Sequence, residues 1–146
     1  MKQISQTNIS VTKASISKMV EKLNISWVNP RITDSDYPFQ ESFLGDWTVE
    51  VVRIEKRIKF EEIVKICKQD GFKPASIFHL LAFVDTVKDL SKYKSLIAAG
   101  SLCLDDFEYP GCVVLSKEGL ELKLGLGNWR GNSVTGYDVL RVKKTD

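Results

Sequence analysis

Apolar side chains recur at helical spacing in three stretches of the first two thirds of the chain. The first stretch follows Ser15, a residue type favoured at helix N-caps. The second covers roughly residues 60–69 and precedes Gly71, and the third covers roughly residues 77–88 and follows Ser76. The inward-facing positions predicted for the three helices are Ile16, Met19, Val20 and Leu23, then Ile63, Ile66 and Cys67, then Ile77, Leu80, Leu81 and Val84.

Alternating patterns predict strands elsewhere. One strand lies near residues 47–54, and four short strands follow in the last third, at residues 95–104, 111–116, 120–126 and 137–142. Turn residues separate the last strands at Asp105-Asp106, Pro110-Gly111 and Glu118-Gly119. Between the first helix and the first strand, an extended surface segment is expected to be held by Trp27, Tyr37 and Phe39.

Helices that come first and strands that come last predict an α+β fold in one domain, residues 1–146. Within it, residues 1–46 would form an N-terminal helix and extended segment. We expect two adjacent helices packed on a small twisted antiparallel sheet. The strand near residues 47–54 should lie beside the strand that ends at Val142.

Composition narrows the function classes. The 146 residues include 21 basic and 19 acidic ones, so a net charge of +2 gives little support to binding through phosphate neutralisation. The basic run at residues 53–59 is interpreted as a solvated strand end rather than a nucleic-acid patch. No apolar run long enough for a membrane span and no signal-peptide pattern occurs, so cytoplasmic residence is the default; export by another route and association with a virion stay open.

Few residues suggest chemistry. Three cysteines without a CxxC pair argue against a disulfide framework or a zinc site, although Cys103 and Cys112 could meet across a hairpin. The only histidine, His79, stands three residues after a helix cap and is interpreted as a surface or capping residue. Asp105, Asp106 and Glu108 lack EF-hand spacing, and a solvated turn is favoured over a calcium site. We therefore expect no metal and no cofactor.

The segment from residue 122 to residue 144 is unusual because contact-prone residues separate two framework strands. Leucines alternate at its start and Val139, Leu140 and Val142 recur at its end, whereas Gly, Asn, Trp, Arg, Ser, Thr and Tyr fill the middle. A hairpin would need only a short turn. The composition is that of a binding surface, in which aromatic residues supply contact area and small polar residues supply adaptable hydrogen bonds. A plain loop would use many of the same residue types.

Three stretches resemble one family. GFKPASIFHLLAF, residues 71–83, resembles the R-P-A-T-x-x-E-L-L-A helix entry of small prokaryotic C-type-lectin-like domains. AAGS, residues 98–101, is similar to the strand that opens their sheet, and LGLGNW with YDVLRVKK is similar to their closing segment. In order and spacing, roughly residues 47–144 resemble the variable proteins of diversity-generating retroelements; an archaeal source is one interpretation. The calcium motifs and disulfide cysteines of animal lectins are absent, so calcium-dependent sugar binding is not implied.

The resemblance implies a fixed scaffold that displays a ligand-binding face altered by a reverse transcriptase at template adenines, within residues 98–144. Asparagine codons changed at adenines reach Ser, Thr, Gly, Tyr, Cys and Arg but not Trp, so Trp129 would be framework or an unvaried contact. Cys103 and Tyr109 could reach the same face from a neighbouring hairpin. The predicted ligand-binding residues are Cys103, Tyr109, Gly125, Gly127, Asn128, Trp129, Arg130, Asn132, Ser133, Thr135 and Tyr137.

The function that this implies is non-enzymatic display of a binding surface. Its partner would be a protein or cell-surface component, with no nucleic acid and no membrane insertion. Two alternatives stay open: an interaction module of a mobile element with a fixed surface, and an enzyme similar to the formylglycine-generating enzymes. The enzyme would use Cys103 or Cys112 as its nucleophile, although no basic residue stands near either cysteine in sequence.

Overall fold

A computed structural model describes residues 2–104, 110–127 and 133–145, without the side chains of residues 102–104, 110, 111, 133 and 134. Its helices are α1 (Ile16–Lys22), α2 (Phe60–Cys67) and α3 (Ile77–Val87). Its strands are β1 (Lys2–Val11), β2 (Ile25–Val28), β3 (Gly45–Arg53), β4 (Ile58–Lys59), β5 (Lys73–Pro74), β6 (Ser95–Leu104), β7 (Pro110–Glu118), β8 (Glu121–Gly127), β9 (Ser133–Val134) and β10 (Tyr137–Lys144). Short 3-10 helices lie at Glu41–Phe43, before β3, and at Gln69–Gly71, after α2. The predicted α+β class is confirmed.

The main sheet is open and has the strand order β1-β3-β10-β6-β7-β8-β2, with β5 paired to β10 as an eighth strand. The predicted neighbours near residues 47–54 and Val142 are confirmed, because β3 and β10 pair antiparallel and Val49 lies opposite Val142. The prediction of a purely antiparallel sheet is wrong, since β10–β6 and β2–β8 are parallel pairs. Strands β4 and β9 form a separate two-stranded ladder.

Alternating side chains divide the core between the two faces of the sheet. In β6, Leu96 and Ala98 belong to a large cluster, whereas Ile97 and Ala99 belong to a smaller one. The large cluster includes buried residues of α3 and Ile16 of α1. The smaller cluster includes Phe60, Ile63 and Cys67 of α2. Helices α1 and α3 therefore pack on one face and α2 packs on the other.

The prediction that the second and third helices lie side by side on the sheet is thus wrong. The connection between them contains β5, which pairs with β10 at Arg141–Pro74 and Val142–Lys73. Because β5 lies in the sheet itself, the chain passes from one face to the other between α2 and α3. Each helix then buries its apolar side against a different cluster.

The entry to α3 explains the small residues of AAGS. The Gly100 N–H donates to the Ala75 carbonyl at 2.7 Å, and a Cβ atom on Gly100 would stand 2.5 Å from the Pro74 carbonyl oxygen. The Ile77 N–H at the first turn of α3 donates to Ser101 Oγ at 2.8 Å. The close approach of β6 to the start of α3 therefore requires glycine at position 100.

Two elements near the N-terminus were not predicted. Residues 2–11 form β1, which pairs along its whole length with β3. Trp27 lies in β2 and is 47% exposed, so it does not hold the following segment as predicted. Tyr37 is buried, and Phe39 packs against the large cluster, so these two residues do hold it.

Candidate functional site

The segment after β8 is not a hairpin loop. Strands β8 and β10 are separated by β7 and β6, a lateral distance of about 14 Å at the usual strand spacing. The antiparallel pairs β6–β7 and β7–β8, with the parallel pair β10–β6, make β8 and β10 run in the same direction. Parallel strands need a crossover instead of a tight turn. Topology therefore explains the length of this segment, and only its composition supports a binding role.

The predicted alternation of β8 places its glycines away from the main core. Leu124 is fully buried in the large cluster, and Leu122 and Leu126 pack against it. Side chains alternate along a strand, so Gly125 and Gly127 belong to the opposite face. That face is the one on which α2 packs farther along the sheet.

A row of paired residues crosses this opposite face. Val139 of β10 pairs with Ile97 of β6, Ile97 pairs with Val114 of β7, and Val114 pairs with Gly125 of β8. Val139 and Ile97 are buried in the smaller cluster under α2, whereas Val114 is half-buried. Coverage by α2 thus decreases towards β8.

Beyond α2 the face forms a surface that we call the open shelf, defined by Trp27, Val114, Ser116, Lys123 and Gly125. Trp27 stands at its outer edge, in a strand fixed to β8 by the Ser26 hydroxyl, which donates to the Leu122 carbonyl at 2.9 Å. Lys123 is paired with Glu118 at 2.8 Å. The shelf combines a half-exposed indole with small and polar side chains.

Gly125 has room for a side chain. A Cβ atom built there would meet only the Trp27 ring, at 3.7 Å, which is an ordinary van der Waals distance. Gly100 on β6 has no such room, as described above. The sheet therefore does not need glycine at position 125 for steric reasons.

Three predicted residues of the last segment also lie in described positions. Tyr137 begins β10 two residues before Val139, so it shares the face of Gly125, and it packs half-buried against the smaller cluster. Thr135 is exposed. The backbone of Ser133 pairs with Lys59, next to the first residue of α2. The structure thus brings Gly125, Gly127 and Tyr137 to one sheet face.

Five of the predicted ligand-binding residues lie outside the part of the chain that the structure describes. Outside the described residues lie Tyr109, Asn128, Trp129, Arg130 and Asn132, together with the acidic residues Asp105, Asp106 and Glu108. For Cys103 only the strand position is described, opposite Gly111. The sequence predicted a different role for Trp27, and its only sequence signal is an aromatic residue between Ser26 and Val28.

Burial makes two of the cysteines poor nucleophiles. Cys112 is fully buried, lies opposite Leu102 rather than Cys103, and is a free thiol. Burial raises the pKa of the Cys112 thiol to about 12 and that of Cys67 also to about 12. The reactive thiolate is therefore scarce at neutral pH at both positions.

His79 is a capping residue, as predicted, but it is buried rather than exposed. Its Nδ1 accepts the Ser76 N–H at 3.0 Å, while Ser76 Oγ accepts the His79 N–H at 3.3 Å. The neutral ring then carries its proton on Nε2, which has no hydrogen-bond partner among the described atoms. The ring meets Trp47 in a T-shaped contact with centroids 4.4 Å apart. Burial and the charges of Lys73 and Lys144 lower the pKa of His79 to about 3.

In the described part of the chain, no three His, Cys, Asp or Glu side chains converge as metal ligands would. None of the helices described is long and apolar enough to cross a membrane.

Comparisons with known proteins give no neighbour for this arrangement. No family model, no curated protein and no solved structure matches the chain significantly.

Proposed function

We propose that the protein is a non-enzymatic binding protein that displays a ligand-contacting face on a C-type-lectin-like scaffold, with its variable residues in the C-terminal segment. The open shelf would be the framework part of that face. The ligand would be a protein or a cell-surface component. The resemblance described for roughly residues 47–144 suggests the family, and the geometry around Gly125 is the observation that carries the proposal.

The geometry separates positions that can change from positions that cannot. A Cβ atom fits at Gly125 in ordinary contact with Trp27, while its neighbour Leu124 is fully buried on the other face. A strand that alternates in this way can accept substitutions on one side without loss of its core packing. Such separation is what a diversified surface needs.

Trp27 adds a fixed aromatic contact beside the position that can change. Tryptophan is enriched among the residues that dominate binding energy, because a large rigid ring costs little conformational entropy on binding. Trp27 also covers Gly125, as aromatic residues do beside glycines near a sheet edge. Trp27 is nevertheless 47% exposed, which leaves surface available to a partner.

A library experiment tests the separation. Gly125, Asn128, Arg130, Asn132 and Thr135 are randomised together, displayed on yeast, and sorted with a conformation-dependent antibody raised against the wild-type fold. A control library of equal size randomises the buried residues Leu124, Val139 and Leu140. We expect most clones of the first library and few clones of the second to fold. Equal losses in the two libraries would contradict the proposal.

The neighbouring DNA tests the diversification itself. We expect a reverse-transcriptase gene and a near-copy of the 3′ end of this gene that differs from it at adenines. If neither is present, the fixed-surface interaction module becomes the better interpretation.

A further inference from the structure

A cleft lies between helix α1 and the segment of residues 34–39. We call it the α1 cleft, and the lining residues that matter for its chemistry are Lys13, Ala14, Lys18, Tyr37, Phe39 and Phe78. Its volume of about 590 Å³ is in the range of small-molecule sites, roughly 300–1,000 Å³. Tyr37 and Phe78 are buried, and Ala14 and Phe39 are half-buried. An apolar group in the cleft would therefore meet aromatic and methyl surface.

Specific contacts hold the walls of the α1 cleft together. Asp34 accepts the Ser17 N–H at 3.1 Å and the Ser17 hydroxyl at 2.5 Å, which joins α1 to the segment. Phe39 and Phe78 meet edge to face with ring centroids 5.1 Å apart, which joins the segment to α3. The cleft is thus formed without a ligand, and binding does not have to order its walls.

Two lysines stand at the α1 cleft without a counterion. Lys13 and Lys18 are exposed, and neither makes a salt bridge in the described part of the chain, whereas carboxylates pair with Lys22, Lys65 and Lys123. Among the described lining residues only Asp34 has a carboxylate, and it is already hydrogen-bonded to Ser17. Positive charge therefore exceeds negative charge beside an apolar cavity.

We propose that the α1 cleft binds a small amphipathic organic anion, with an aromatic or short aliphatic body and one carboxylate or sulfonate group. The apolar body lies against Phe39 and Phe78, and the anionic group faces Lys13 and Lys18. A cationic ligand of the same shape meets two like charges, and an inorganic anion gains nothing from the rings. The lining residues Tyr37, Phe39 and Phe78 belong to the large cluster, so the cleft and the open shelf lie on opposite faces of the sheet. The site therefore does not depend on the proposed function.

Three probe anions and neutral molecules separate the two contributions. The ¹⁵N-labelled chain is titrated by NMR with naphthalene-2-sulfonate, with the uncharged naphthalene-2-sulfonamide of nearly the same shape, and with methanesulfonate. We expect saturable shifts of the amides of residues 13–18 and 34–39 with the two naphthalene compounds. The sulfonate should bind about fivefold more tightly than the sulfonamide, the scale of two exposed ion pairs. Methanesulfonate should bind at least about tenfold more weakly than naphthalene-2-sulfonate, because it buries little apolar surface.

A charge-removing variant tests the role of the two lysines. Lys13→Gln/Lys18→Gln changes only exposed side chains, so it should fold normally and bind the sulfonate and the sulfonamide with equal affinity. Lys56→Gln/Lys59→Gln removes the same charge at exposed positions just before α2 and should keep the fivefold preference of the wild-type chain.

Four results would each overturn the proposal. The first is the absence of saturable shifts with naphthalene-2-sulfonate, and the second is a set of shifts confined to residues outside the α1 cleft. The third is equal affinity of the wild-type chain for the sulfonate and either of the other two probes. The fourth is a preference for the sulfonate that persists in Lys13→Gln/Lys18→Gln.

Discussion

The buried capping histidine gives the sharpest stability prediction. His79 accepts a hydrogen bond from the Ser76 N–H at Nδ1, so protonation of the ring removes this bond and places a charge inside the core. Burial, with Lys73 and Lys144 nearby, lowers its folded-state pKa from 6.5 to about 3. The unfolded state therefore binds the proton more readily, and stability that is complete above pH 6.5 falls as the pH drops towards 3.

The size of the effect follows from linkage. Between the two pKa values each pH unit costs at most about 1.4 kcal/mol, so the free energy of unfolding should be lower by about 2 kcal/mol at pH 5 than at pH 8. In a domain of this size, that difference corresponds to a decrease in Tm of roughly 4–8 °C. The chain contains no other histidine that could produce it.

The matched variant is His79→Gln, because glutamine can accept the Ser76 N–H but does not titrate. Urea denaturation of both proteins from pH 4.5 to pH 8 measures the difference. Lowered pKa values at Asp34 and Asp89, caused mainly by hydrogen bonds from Ser17 and Ser91, affect both proteins equally and at lower pH. We expect the slope only in the wild-type protein. Parallel curves for the two proteins would refute the assigned cause.

Further predictions concern the core, the site and metal. Leu140→Ala should cost about 2–5 kcal/mol in urea denaturation, because Leu140 is fully buried. Gly125→Asn should change stability by less than about 0.5 kcal/mol, whereas Gly100→Ala should cost about 1–3 kcal/mol or more because of its contact with Pro74; equal effects would contradict the separation of the two glycines. Asp138→Asn should cost about 3–5 kcal/mol, since Asp138 is fully buried and paired with an arginine at 2.9 Å. A chelator should leave the Tm within a few degrees, and a larger decrease would indicate a metal site.

Local patterns predicted those elements whose signals are local. Helix α3 begins after Ser76 as expected because the cap and the apolar spacing act within a few residues. Strand β3 follows from the alternation that ends in the fully buried Val49 and Val51. Such features do not depend on the rest of the fold.

The misses arise from long-range pairing. Strand β1 buries only Ile9 and Val11 and is otherwise rich in Ser, Thr, Gln and Asn, so its pattern is that of a polar tail until β3 is present beside it. The parallel pairs join segments about 40 to 100 residues apart, and no short-range rule specifies them.

Only part of the candidate site could be predicted from the sequence, because the rest depends on long-range strand pairing. The alternation of β8 predicted that Gly125 would lie on the sheet face opposite that of Leu124, since this depends only on the two-residue period of a strand. The contribution of Trp27 depends on β2 lying beside β8, a contact between residues 25–28 and 122–124. A single sequence carries no local mark of that contact.

The position of β10 has a consequence for how the molecule folds. It follows both β3 and β6 along the chain, yet it lies between them in the sheet. Until it is inserted, β3 and β6 expose unpaired edges, and the two halves of the sheet have no strand in common. During synthesis on the ribosome the sheet can therefore be completed only after β10 has been made. The hydrogen bonds from Ala75 to Leu140 and from Arg53 to Asp138 also form only then. We expect slow, late folding with an aggregation-prone intermediate, as high contact order implies.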